Sequence, residues 1–210
     1  MKKIIGLFLL LALPMLATAA NYEEGKHYTV VSDKASKKPE VREFFSFYCP
    51  HCFSFEPFMA DIKKELPSDV SFERSHVDFL RMASPEIQFM LTKGLVVAKQ
   101  LNMEDKLVGA MFNYVQVQRA TFSSEKDLRN LFVLNGVDGA EFDKRMKSFS
   151  VNSQAKAMKK TQDYFSRRGA LKGVPAVFIN GKYRINMQEL DRNNLKADYN
   201  KLVQHLLTLS

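Results

Sequence analysis

Apolar positions follow two periods along this 210-residue chain. After an apolar opening run from Ile4 to Leu13, Tyr28-Thr29-Val30-Val31 reads as a short edge strand. Ser32 to Pro39 is polar and loop-like. Val41 to Tyr48 is apolar except at Arg42, Glu43 and Ser46, which predicts a buried central strand. Beyond Cys52 the period changes. Phe53, Phe55, Phe58, Met59 and Ile62 share helical spacing, Lys63-Lys64-Glu65 closes the helix, and Pro67 ends it. Pro57 lies inside that pattern and predicts a kink or a break. Val70 to Phe79 alternates again and predicts another strand.

From Ser84 onward helical spacing takes over for roughly 70 residues with no strand signal, the mark of an all-helical insert. Ser84-Pro85-Glu86 is a helix start, and Ile87, Met90, Leu91, Ala98 and Leu101 keep the period. A further helix follows Asn102. Ser124-x-x-Asp127 resembles a capping box, and Asn135-Gly136 stops the helix it begins. Asp138 caps a short helix. Ser153 is the expected start of a long one that runs to Arg168. Strand character returns at Gly173 to Ile179. Asn180-Gly181 makes a two-residue turn into Lys182 to Ile185, and a last helix runs from Leu195 to Leu207. The predicted order is β–β–α–β, then helices, then β–β–α. The fold class is α/β. The organisation expected is residues 1–19 as a signal peptide, 20–82 and 159–210 as the two parts of one α/β domain, and 83–158 as the helical insertion.

The signal-peptide reading rests on three features. Met1-Lys2-Lys3 is charged, the apolar run is too short to span a bilayer, and Ala17-Thr18-Ala19 is an A-x-A cleavage site. Cleavage after Ala19 implies an exported, soluble mature chain beginning at Ala20, in a compartment where disulfides persist. Losing Lys2 and Lys3 takes the formal charge from +8 to +6. The remaining lysines are scattered over predicted solvent faces. No phosphate loop or nucleic-acid module accompanies them, so nucleic acid is not an expected partner.

Cys49 and Cys52 are the only cysteines. A strand that delivers Cys49 to a helix start leaves its sulfur exposed beside unpaired N–H groups, which favour an anion. The thiolate is the form that attacks disulfides, so the pair reads as a dithiol–disulfide exchange centre. Other readings fit less well. Structural zinc needs two more ligands, and His27, His76 and His205 lie far apart without ligand spacing. Haem attachment needs histidine at position 53, where Phe53 stands. A bridge closing so small a loop is a poor staple. Copper(I) carriage would suit Cys and Met ligands, but the methionines fall at helix-core spacing. A non-enzymatic peptide-binding chaperone is a third reading. Glu43 reads equally as a half-exposed surface carboxylate or as a buried one that tunes proton transfer. His76 reads as a hydrogen-bonded structural histidine.

The run Glu43-Phe44-Phe45-Ser46-Phe47-Tyr48, then Cys49-Pro50-His51-Cys52, with Gly173-Val174-Pro175-Ala176 and Asn180-Gly181-Lys182-Tyr183, resembles the DsbA family of the thioredoxin superfamily. The resemblance covers nearly the whole mature chain. It implies a thioredoxin fold with an inserted helical domain and a cis Val174–Pro175 bond facing the cysteines. It also implies a redox-active disulfide Cys49–Cys52 donated to reduced, unfolded secreted proteins in the periplasm. Cys49 would be the nucleophile and Cys52 the resolving thiol. His51 and Pro50 would tune the pair, and Glu43 would assist. Reoxidation would come from a membrane, quinone-linked partner of the DsbB type. No cofactor and no metal is implied, and a monomer is expected. A reductase or isomerase is the rival within this class, but family isomerases carry a dimerisation domain for which residues 20–48 leave no room. One departure is clear: the family's lysine partner of Glu43 appears here as Arg74.

Overall fold

The computed structural model describes residues 22–209, so the signal peptide predicted over residues 1–19 lies outside it. Five strands form one mixed sheet: β1 (Tyr28–Val30), β2 (Glu40–Phe45), β3 (Ser71–His76), β4 (Ala176–Ile179) and β5 (Tyr183–Ile185), in the order β1-β5-β4-β2-β3. β2 pairs parallel to β3 and antiparallel to β4, with α1 (Pro50–Glu65) connecting β2 to β3. The helical part comprises α2 (Pro85–Gln100), α3 (Glu104–Phe112), α4 (Glu125–Leu134), α5 (Gly139–Lys147) and α6 (Phe149–Arg167). α7 (Leu195–Thr208) closes the chain. The fold class and the predicted order of elements are those observed. Among the described residues no helix is long and apolar enough to cross a membrane.

Three apolar clusters hold these elements. Val41 of β2 and Val177 of β4 pack with Met59 and Ile62 of α1 and with Tyr199, Leu202 and Leu206 of α7. Phe44 and Phe178 meet Phe165 of α6 in a second cluster, at ring separations of 4.6 to 5.9 Å. The third is the core of the helical part, and it also contains Phe45, Phe47, Tyr48, Cys49 and Cys52. The cysteines thus stand at the seam between sheet and helices.

Local chemistry explains where elements begin and end. β2 stops at Phe45, not Tyr48, because Ser46 turns the chain. Its Oγ accepts from the Tyr48 N–H at 3.2 Å and its carbonyl from the Cys49 N–H at 3.0 Å. α6 starts at Phe149, four residues before the expected Ser153, because Ser148 Oγ accepts from the Val151 N–H. Residue 158 therefore falls inside a continuous helix. α1 is not broken at Pro57. That residue is exposed, and the hydrogen bond it cannot make faces solvent. The Ser124–Asp127 capping box forms as predicted. The β4–β5 turn places Asn180 at φ 53° and Gly181 at φ 60°, a conformation that favours these two residue types.

Candidate redox-active site

The Ser46 turn sets Cys49 as the N-cap of α1, in extended conformation. Its Sγ accepts from the Cys52 N–H at 3.1 Å. Pro50 follows at the first helical position, where a missing N–H is harmless. On the other side Sγ lies 3.4 Å from the Val174 carbonyl, and the Val174–Pro175 peptide is cis. Both cysteines are free thiols. The expected exposure of Cys49 is not found: it is 6% exposed, against 0% for Cys52. The Val174 segment and the helical-core aromatics cover it. The order of access is kept, but a partner must displace part of this cover to reach the sulfur.

The two sulfurs differ in basicity. The Cys49 thiol is lowered to about 6, first by the hydrogen bond from the Cys52 thiol. Burial opposes this, while the Cys52 and His51 backbone N–H groups and then the His51 side-chain charge add to it. Cys52 is pushed far up by burial and by donating to Cys49. One sulfur is thus held as thiolate and the other as thiol. His51 is exposed, and its charge is the smallest of these influences. Replacing His51 by Ala is therefore expected to raise the Cys49 pKa by only about half a pH unit, since exposed charges are well screened. Ultraviolet absorbance of the thiolate against pH measures this. A rise of two pH units would mean that the side chain, not the helix terminus, holds the anion.

Glu43 is fully buried, which rules out the half-exposed surface position. Neither carboxylate oxygen has a hydrogen-bond partner. Burial raises its pKa to about 8; the Glu56 charge adds to this and Arg74 opposes it. Register puts Arg74 of β3 directly across from Glu43, with Nε 3.8 Å from the carboxylate. The closer contact of Arg74 is to Glu56 Oε2, at 3.0 Å. Glu56 went unnoticed in the sequence. Its signal was available: it sits four residues beyond Cys52, on the same helix face. His76 is buried against Thr92 Oγ1 at 2.9 Å, stacks on Phe47 and is pushed down to about 3 by burial, so it stays neutral. His27 and His205, far apart in sequence, both stand against the Tyr22 ring.

Beside Pro175 opens a cavity of about 410 Å³, lined by Phe55, Val177, Arg184, Met187 and Tyr199 among others. On the opposite flank α3 passes into a π-helical turn, Asn113–Val117. Its Gln116 donates to the Phe47 carbonyl at 2.6 Å and pins the strand exit ahead of the cysteines.

The family described as DSBA-like thioredoxin domain matches residues 40–198. A protein of Escherichia coli strain K12, called thiol:disulfide interchange protein DsbA, is 38% identical over 198 residues, covering 93% of this chain and 91% of that one. A Haemophilus influenzae protein of the same name is 35% identical over 213 residues, with 99% of each covered. A solved structure of Proteus mirabilis DsbA with a non-covalently bound peptide, PWATCDS, superposes with a TM-score of 0.80 at 31% identity, covering 90% of this chain and all of that one.

Proposed function

Because this chain belongs to the DSBA-like thioredoxin domain family and is a DsbA-like thiol:disulfide oxidoreductase, we propose that it oxidises secreted proteins in the periplasm through Cys49 and Cys52. The observation that carries this reading is the setting of Cys49, whose Sγ caps α1 by accepting from the Cys52 N–H and faces the cis Val174–Pro175 segment.

In the oxidised protein a substrate thiolate attacks Cys49. A Cys49–substrate disulfide forms and the Cys49–Cys52 bond breaks. Cys52 leaves as a thiolate and takes a proton, because burial makes it a strong base. Glu43, poised near neutrality, supplies that proton and takes it back in the reverse direction. A second substrate thiolate then attacks its own sulfur in the mixed disulfide. The substrate disulfide forms, and Cys49 leaves as a stabilised thiolate. The easy departure of Cys49 drives the exchange toward reduced enzyme. The cis Val174–Pro175 segment lies against Cys49 Sγ, where an incoming backbone would pair. Reoxidation falls to a membrane, quinone-linked oxidase of the DsbB type. The leader over residues 1–19, cleaved after Ala19, delivers the chain to that compartment, where it acts as a monomer without cofactor or metal.

Equilibration of the mature protein against glutathione buffers tests the direction. An oxidant stays reduced until the buffer is more oxidising than the bulk pool. A pair that is already disulfide in a strongly reducing buffer is a reductase, and the proposal fails.

A further inference from the structure

Glu43 and Tyr199 are both wholly buried, and each carries polar atoms without a hydrogen-bond partner. One of the two is an acceptor and the other a donor. They belong to the same region of the core. Glu43 pairs across the sheet with Val177, and Val177 and Tyr199 both line the cavity beside Pro175. A tyrosine hydroxyl sealed from solvent without a partner destabilises the fold. Phenylalanine would fill the same space without that penalty, so the hydroxyl calls for a purpose.

We propose that the Tyr199 hydroxyl is the hydrogen-bond donor that Glu43 uses when ionised, which makes Tyr199 a positioning residue for proton transfer at Cys52. This rests on the reading of Glu43 as the group that exchanges a proton with Cys52. The groups facing Glu43 leave this role open. β3 presents Arg74, whose Nε is 3.8 Å away and whose near hydrogen bond goes to Glu56. Beyond it, Asp105 of α3 lies 3.8 Å from Arg74 Nη1. α1 presents Glu56, Cys49 and Cys52, none of which stabilises a second anion. β4 presents Val177, which is apolar. α7 presents Tyr199, whose phenol is held neutral by burial and by the Glu43 charge. Apart from the Cys52 thiol, whose hydrogen bond goes to Cys49, it is the one neutral donor among these neighbours.

When Glu43 is protonated the hydroxyl is idle. When the Cys52 thiol passes its proton to the carboxylate, the hydrogen bond is given up. When the proton leaves again, the bond forms and holds the anion. Resolution of a mixed disulfide needs that anion: Cys52 S–H loses its proton to Glu43, Cys52 sulfur bonds to Cys49 sulfur, and the partner departs as thiolate.

The test is Tyr199→Phe in the full mature chain. Carbon-13 titration of the Glu43 carboxyl should show its midpoint raised by about one pH unit. Resolution of the Cys49–glutathione mixed disulfide at neutral pH should slow about tenfold, following the fall in ionised Glu43. A Glu43→Gln, Tyr199→Phe double variant should resolve no more slowly than Glu43→Gln alone. An unchanged midpoint overturns the proposal, as does a double variant slower than Glu43→Gln. A raised midpoint with Glu43→Gln resolving at the wild-type rate keeps the Tyr199–Glu43 bond and overturns the proton-transfer reading instead. Circular dichroism melts confirm the fold, since losing an unpartnered hydroxyl should not lower the melting temperature.

Discussion

Cys52→Ala is expected to halt turnover, by 1000-fold or more, while leaving attack at Cys49 intact. The variant keeps the helix terminus and the Val174 cover, but it has no second sulfur to expel the bound partner. Covalent adducts through Cys49 should accumulate and should vanish with reductant on non-reducing gels. Cys49→Ala should accumulate none, because Cys52 is sealed at 0% exposure and is held as a thiol. Adducts that form with Cys49→Ala instead would reverse the two roles.

The second expectation is that the oxidised and reduced proteins exchange rank in stability as pH rises. The disulfide closes a loop of only four residues, which restrains the unfolded chain by about 2 kcal/mol. Against this stands the Cys49 thiolate. Its folded pKa, about 6, lies below the unfolded value of about 8.5. A depressed acid contributes stability above its folded pKa, and that contribution grows until the unfolded pKa is reached. It amounts to at most about 1.4 kcal/mol at pH 7 and about 3 kcal/mol at pH 8.5. Cys49 is 6% exposed, so solvent screening takes little from these values. Cys52 works in the other sense by only about 0.4 kcal/mol at pH 8.5, where an unfolded thiol is half ionised. The oxidised form should therefore melt later at pH 6 and earlier at pH 8.5. Urea melts of both forms across this window decide it. A gap that does not move with pH means that Cys49 is not a depressed thiolate. That DsbA proteins gain oxidising power from a stabilised reduced form is a property of the family; the crossing tests whether this chain shares it.

The sequence spoke clearly wherever the signal was local. Ser84, the Ser124–Asp127 box, Asp138 and the Asn180-Gly181 turn act through neighbours a few positions away, and each produced the element expected of it. The Cys-Pro-His-Cys run likewise displayed its own chemistry. What stayed hidden depends on distant partners. The burial of Cys49 comes from Val174, which is 125 residues away. Glu43 is buried between β3 and β4, whose Arg74 and Val177 lie across from it and far from it in sequence. The start of α6 was hidden because Phe149, an apolar residue left exposed, breaks the pattern that periodicity reads.

The shared packing of Cys49 and Cys52 with the helical core also bears on protein engineering. The tetrapeptide is not a portable cassette. Grafted onto a bare thioredoxin scaffold, it would carry the sulfurs and the helix terminus, but not the wall formed by Phe112 and its neighbours or the Gln116 clasp on Phe47. Conversely, trimming away α2 to α5 would expose Phe45 and Phe47 and strip one side of the site. For swaps among relatives, the transferable unit is the whole helical insert together with the strand exit that it grips.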